Sequence, residues 1–511
     1  MNDFFLIKSD IPFIEENIKK KKCLLIGGYG GYGKNFGDII QAKSIIKLYI
    51  EKDFIPFILL HFQAIKEVDT LEEYKELFPE AILLFWSNYD AEVPYDVLVK
   101  NPMSIDFDIL HLYGGGFLNE YWGKVMIESV EKSFQKFNIN NYYISGQQIS
   151  EKVVPYLKKH IEYYQPLILG TRDYESLNFL NKYGIEGIFS GDDSLEVLEA
   201  YSNILKQNLK LGQDVCFFHL NISDYTQEDF ANAKNEIENL ITALKKEGIK
   251  KFIFFHSYSR KSVIVKDTLK ALDYLGISDI IPSFNVVSLP ALIRSKDEIE
   301  RVFSEIGNLG CVKYAFSNSY HTAFLFALSG IPTYLFAFNQ YYRQKQVGLF
   351  GQQITLSEFL SNTDEIFKNQ QEHLKKILEE RRKFLNFFGD SLLVHKDRKS
   401  KFIPQITYTF FPSKSRAPYE IDGLIAKLYS KIEHLEGERL RLQNKIEHLE
   451  GERLRLQNKI EHLEGERLSL IEEKEKYYNE LYKIYNSRGW KLLERYYTLK
   501  HKLKNIRRKN K

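Results

Sequence analysis

Cysteine is scarce, with three in 511 residues, and methionine and tryptophan are equally rare. Cys23, Cys216 and Cys311 lie far apart, each in an apolar strand-like run. That placement favours buried thiols in a reducing compartment over a disulfide framework or a metal site. No stretch reaches the roughly 18 to 20 consecutive apolar residues that a membrane span requires. The start, Met1 to Lys8, lacks a basic opening and has too short an apolar core for a signal peptide, so a cytoplasmic protein is expected. Net charge is only +3, which excludes a polyelectrolyte and confines any nucleic-acid or membrane affinity to a local cluster.

What is present is length and apolar content. The chain exceeds what one core usually serves, and 44% hydrophobic residues can fill two. Strand-like runs alternate with helical segments. Lys22 to Gly28 reads as a buried first strand entering the glycine-rich turn Gly28-Tyr29-Gly30-Gly31-Tyr32-Gly33-Lys34-Asn35-Phe36-Gly37-Asp38, with a helix from about Ile39 to Glu51. Strand, glycine loop and helix is the order in which backbone amides approach a ligand and a helix N-terminus faces it. The loop is no Walker motif, since Lys34 precedes Asn35 and not Ser or Thr. Nor does a clearly placed acidic residue follow at dinucleotide spacing.

Later strands end in Gly114-Gly115-Gly116, in Gly146-Gln147-Gln148 and in Thr171-Arg172-Asp173. Each polar or glycine cluster thus falls at the carboxyl end of a strand, the ligand edge of open α/β sheets. A second series begins near Val215 and includes Lys251 to Ser257, Ile280 to Pro282, Lys313 to Phe316 and Pro332 to Phe336. The pattern predicts an α/β chain of two Rossmann-like doubly wound domains facing a cleft: residues 1–205, and 206–395 with trailing helices.

The segment Ser317 to Pro332 stands out. Ser317, Asn318 and Ser319 are cap formers, an apolar run follows to Leu328, and Gly330 with Pro332 supplies the stop. The helix starts near His321. Its free amides and dipole suit an anion, and the imidazole adds a titratable group.

A linker is expected over 396–423. Lys431 to Asn444 then recurs from Lys445 and from Lys459, giving a coiled coil over 424–486 with 14-residue repeats. Leu435, Leu442, Leu449, Leu456, Leu463 and Leu470 hold one seam position; Ile and Arg alternate at the other. A homo-oligomer through this coil is expected. The tail, 487–511, carries ten Lys and Arg against Glu494, interleaved with Trp490, Leu492, Leu493, Tyr496, Tyr497 and Leu499. It is suited either to peripheral contact with an anionic membrane, at roughly 1 kcal/mol per basic residue, or to remaining a solvated basic helix end. No basic groove elsewhere supports nucleic acid as a partner.

Taken in order, the loop Gly30 to Asp38, Gly114 to Gly116, Gly146-Gln147-Gln148-Ile149, Thr171-Arg172-Asp173 with Ser176, Gly191-Asp192-Asp193, and Ser319-Tyr320-His321 with Gly330-Ile331-Pro332 resemble the polysaccharide pyruvyl transferase family. The resemblance covers about residues 20–355. It implies a fold similar to the two-domain GT-B type. It also implies transfer of the pyruvyl group of phosphoenolpyruvate, as a ketal with release of phosphate, onto hydroxyls of a cell-surface glycan or lipid-linked saccharide.

Such chemistry needs a proton for the donor's methylene carbon and groups that hold a carboxylate and a phosphate. His321 suits the acid or phosphate-partner role, and Arg172 suits bidentate anion binding. Where many family members carry Arg two residues before the histidine, this chain has Ser319, so Arg343 or Lys345 would have to substitute. Ser317 and Ser319 join the donor side. Asp38 and Asn35, with Gly30, Gly31, Gly37, Gly114, Gly115, Gly116 and Gln147, are expected around the acceptor. Each has a plainer reading: Arg172 and Asp173 as a mutual pair, Asp192 and Asp193 as turn and cap residues, and the three glycines as tight packing. No metal and no cofactor beyond the donor substrate are expected. Two alternatives stay open: a GT-B glycosyltransferase using a nucleotide sugar, for which no Glu-x7-Glu pattern is evident between His321 and Asn339, and an inactive coiled-coil assembly protein.

Overall fold

The structure is a computed structural model. It describes residues 3–28, 35–61, 68–87, 97–100, 105–221, 227–257, 275–276, 285–289, 296–308, 310–392, 453, 456–457 and 459–509. Gly30, Gly31 and Lys34, the linker, the first coil repeats and the strand expected at Ile280 to Pro282 lie outside them.

The chain divides into a unit of residues 1–420 and one of 421–511. The first unit holds two sheets. Its N-terminal strands are β1 (Asp3–Ile7), β2 (Lys22–Ile26), β3 (Ile55–His61), β4 (Ile82–Ser87), β5 (Leu98–Lys100), β6 (Asp106–Leu112), β7 (Gly115–Leu118), β8 (Asn138–Ile149), β9 (Ile168–Thr171) and β10 (Ile188–Phe189). They are ordered β10-β9-β8-β6-β2-β3-β4-β1-β5, with β7 beside β8. The second sheet takes β11 (Lys210–His219), β12 (Lys251–His256), β13 (Asn285–Ser288), β14 (Cys311–Ser317) and β15 (Thr333–Leu335) in the order β13-β12-β11-β14-β15. All pairs in the second sheet are parallel, and β2, β3, β4, β6, β8 and β9 pair in parallel in the first.

Both lobes are thus doubly wound, as expected for a GT-B-like chain. In each, the strand order reverses once beside the lobe's leading parallel strand: between β2 and β6, and between β11 and β14. Helices leave on opposite faces at such a point, and the strand ends there open a crevice. The crevices fall at Gly27 and Gly28 and Asn35 to Asp38 with Tyr113 to Gly116, and at His219 to Asn221 with Ser317 to His321.

The apolar run Asp3–Ile7, not expected as a strand, is β1, antiparallel to both β4 and β5. Its side chains alternate between the two cores, since Phe5 and Ile7 join one cluster, and Phe4 and Leu6 the other. Burial of whole strands such as Lys22–Ile26 explains why they read as continuous apolar runs. Cys23 and Cys216 are buried, Cys311 is partly so, and all three are free thiols.

The 29-residue helix Thr363–Ser391 packs against both lobes. Near its end, Phe388 meets Tyr49, His111 and Tyr143 of the first lobe, and Arg381 reaches Asp193 at 2.7 Å and Glu196 at 2.9 Å. The trailing helix assigned by sequence to the second domain therefore also fastens the first.

In the second unit, residues 459–486 are helical and exposed, and a further helix spans Arg488–Lys509. Among the described residues, no helix is long and apolar enough to cross a membrane.

Candidate functional site

The two crevices meet. Phe36 N donates to Ser257 O at 2.6 Å, which ties the first lobe's glycine loop to the end of β12. Asn35 caps the helix Phe36–Ile50: its Oδ1 accepts from Gly37 N at 2.9 Å, while Nδ2 lies 3.4 Å from Ser257 Oγ. The helix Tyr320–Leu328 starts directly across this seam. Gly37 is the contact point, for a methyl group there would overlap the His321 imidazole at Nδ1. His321 is half-buried, from the second lobe, on the turn where the first lobe's helix begins.

Two first-lobe side chains converge on its Nε2. His321 Nε2 lies 3.0 Å from Gln41 Nε2 and 3.3 Å from Asp192 Oδ2. Gln41 Nε2 also donates to Asp192, at 3.1 Å. Without a proton His321 Nε2 accepts from Gln41 Nε2, and with one it donates to Asp192 Oδ2. Arg172 Nη1 donates to Asp192 Oδ2 at 3.4 Å, Nη2 donates to Gln148 Oε1, and the guanidinium stacks 4.1 Å from the Tyr320 ring centre. Burial alone would push the Asp192 carboxyl up, but His321, Arg172 and the Ser194 hydroxyl together hold it well below the usual carboxylate range.

Asp192 thus does more than the turn-and-cap reading allowed. It caps Ser194 N at 2.9 Å and also carries the charge between Arg172 and His321. Arg172 pairs with Asp192 and not with Asp173, whose Oδ1 caps Ser176 N at 2.8 Å. Asp193 is structural: Gly114 N, Ser145 Oγ and Arg381 all donate to it.

The remaining side of the seam comes from the helix Gln340–Phe350, which begins at the Asn339 cap. Gln344 Nε2 donates to Ile149 O at 3.2 Å and lies 3.0 Å from Ser176 Oγ, and Gln148 Nε2 donates to Tyr341 O at 3.3 Å. Lys345 is half-buried, its ammonium 4.0 Å from the Tyr341 ring centre. Burial and the nearby Arg172 pull its pKa well down; Asp38 and Asp192 counteract this only in part.

Asp38 lies in the first turn of the helix Phe36–Ile50, beside Gly28. Burial pushes its carboxyl up to about 8, with Lys345 opposing and Asp192 reinforcing the shift. A carboxylic acid in that range is protonated at neutral pH and able to give up its proton.

Other expected residues are placed differently. Ser317 Oγ is spent on Ser319, accepting from its N at 2.9 Å and donating to its O at 3.1 Å. Ser319 occupies the cap position of its helix without a side-chain cap bond. Arg343 is exposed on the far face of its helix and does not join the seam. Gln147 donates to Tyr113 O at 2.8 Å inside the sheet, so its neighbour Gln148 is the glutamine that reaches Arg172. Gly114 packs against the Gly146 backbone, as the tight-packing reading holds. A methyl group at Gly115 would overlap the Phe117 ring and lie 3.0 Å from Gln41 Oε1, and one at Gly116 would lie 2.8 Å from Tyr341 Oη. The sequence alone assigns no role to Gln41 or Tyr341, and places Gln148 and Tyr320 only within motifs. Gln148 lies near the end of β8, Gln41 in the helix after the glycine loop, and Tyr320 and Tyr341 in the first turns of their helices.

Among the described residues, no group of three or more His, Cys, Asp or Glu could hold a metal ion.

No family model and no curated protein matches the chain. Solved structures similar to it include UDP-GlcNAc 2-epimerase from Neisseria meningitidis bound to UDP-GlcNAc, at 13% identity and a TM-score of 0.42, covering 73% of this chain and 99% of that one. A putative UDP-N-acetylglucosamine 2-epimerase from Listeria monocytogenes has 11% identity and a TM-score of 0.41, covering 75% and 100%. A ugt transferase from Siraitia grosvenorii in complex with UDP has 11% identity and a TM-score of 0.38, covering 73% and 100%. Likeness at this level carries no argument about activity.

Proposed function

We propose that the chain is a pyruvyl transferase that binds phosphoenolpyruvate at the seam between its lobes and forms a ketal on a saccharide acceptor. The observation that supports this is the seating of His321 on Gly37, beside Asp192, at the point where both sheets reverse strand order.

In this reading the Asp38 carboxyl gives its proton to the donor's methylene carbon, which becomes a methyl group and leaves a cationic centre at the adjacent carbon. An acceptor hydroxyl adds there, and its proton returns to Asp38. Phosphate departs with the electrons of its C–O bond, and the second hydroxyl closes the ketal as its proton is released. Lys345, His321 and the first-turn amides of Tyr320 to Thr322 hold the phosphate and carboxylate. The first intrahelical donor of that helix is Ala323 N, to Ser319 O at 3.0 Å, so the three amides before it lie outside the ladder.

A second reading, nucleotide-sugar transfer, draws on Arg172. Its charge is already matched by Asp192, which leaves little net positive charge for the diphosphate of a nucleotide sugar.

Incubation with phosphoenolpyruvate and a panel of hexosides separates the two. Phosphate release in wild type, lost in His321→Ala with an unchanged melting transition, supports pyruvyl transfer. Stabilisation by UDP-sugars without any response to phosphoenolpyruvate supports the second reading, since only a ligand that binds the folded state raises the transition.

A further inference from the structure

We infer that the helix Arg488–Lys509 is a docking element for an anionic membrane surface, independent of the chemistry at the seam. Ser487 marks its beginning. Ser487 Oγ accepts from Trp490 N at 3.2 Å and donates to Ile484 O at 2.7 Å, so a cap interrupts the helix that runs in from residue 459. Charge changes sign at that cap. Residues 459–486 carry seven Asp and Glu against five Lys and Arg, whereas 487–511 carry ten Lys and Arg against Glu494.

The helix is amphipathic in a way that fits a bilayer. Leu492, Tyr496, Leu499 and Leu503, at i, i+4, i+7 and i+11, fall on one face, with Trp490, Leu493 and Tyr497 in the adjoining row. All seven are exposed. Lys491, Arg495 and Lys502 border the first row. Lys500 lies within the apolar half with its ammonium 5.9 Å from both the Tyr496 and Tyr497 ring centres, the posture of a side chain whose stem lies on apolar surface while its head reaches outward. Tyr and Trp beside Lys and Arg is the composition of a membrane interface.

Other occupants fit less well. A second copy aligned in register would set two like-charged segments side by side. Nucleic acid would satisfy the cations and leave seven large apolar side chains in water. An anionic bilayer satisfies both sets at once.

The test is flotation of the full chain with vesicles of phosphatidylcholine alone or containing about one third phosphatidylglycerol, at about 0.1 M and about 0.5 M salt. Binding is expected only to the anionic vesicles and to weaken at the higher salt. Both Lys500→Glu/Lys502→Glu/Lys504→Glu and Leu492→Ser/Tyr496→Ser/Leu499→Ser should lower the bound fraction about tenfold or more while leaving phosphate release and melting of the head unchanged. Equal flotation with neutral vesicles, no flotation with anionic ones, or indifference to either triple variant overturns the inference. Absence of flotation with tight binding of a duplex oligonucleotide redirects the helix to nucleic acid. Absence of flotation with a particle mass that falls in the serine variant assigns it to a second copy.

Discussion

Gly37 and His321 touch across the seam so closely that no side chain fits between them. Gly37→Ala should therefore push the imidazole off Asp192 and Gln41. Because the clash meets a ring and not backbone, we expect a stability loss of about 1–3 kcal/mol and a much larger loss of turnover, read by urea unfolding alongside phosphate release.

Asp192 supplies the negative charge shared by Arg172 and His321, and all three are mostly shielded from water. Asp192→Asn leaves a buried guanidinium without its counter-charge, at a cost of about 3–5 kcal/mol in urea unfolding. The depressed Asp192 carboxyl contributes stability that is present above its unfolded value near 4 and is lost as pH falls below it. Acid unfolding of wild type should show this loss, and Asp192→Asn should lack that share of it.

Asp38 predicts the opposite slope. Its folded carboxyl is raised from 3.8 to about 8, so the folded chain holds a proton that the unfolded chain has released. Stability from this group is present below pH 3.8 and declines as pH rises towards 8. The acid form is also the proposed proton donor. Turnover should fall on the alkaline side with a midpoint near 8, and Asp38→Asn should remove turnover while flattening the stability slope over the same range.

The three consecutive glycines should separate by role. Gly114→Ala meets the Gly146 backbone, which cannot step aside, and should abolish soluble expression or cost more than about 3 kcal/mol. Gly116→Ala meets the Tyr341 hydroxyl, a movable end, and should fold with a changed KM for the donor.

Most parallel strands of both sheets were legible as apolar runs that end in a glycine or cap cluster, whereas the edge strands β1 and β5 were not, and His321 stood out because a capped apolar helix with an imidazole in its first turn is unusual. Partnerships across the seam were not legible. Gln41, Asp192 and His321 are brought together from positions more than a hundred residues apart, and a carboxylate in Gly191-Asp192-Asp193 looks like any turn residue until Arg172 is seen beside it. Gln147 and Gln148 show the smallest such error: adjacent residues in an extended segment point to opposite sides, and hydrophobicity does not tell two glutamines apart. Ser317 looked available for a ligand, yet its hydroxyl is consumed by the backbone of Ser319. Arg343 and Lys345 looked equivalent until the helix Gln340–Phe350 turned one outward and the other over Tyr341.

Calorimetric titration of phosphoenolpyruvate into the full chain tests the central assignment most directly. The account predicts one site per chain in wild type, weakened at least about tenfold, or about 1.4 kcal/mol, in both His321→Ala and Gly37→Ala. No heat from phosphoenolpyruvate in wild type, or unchanged affinity in both variants, would contradict it.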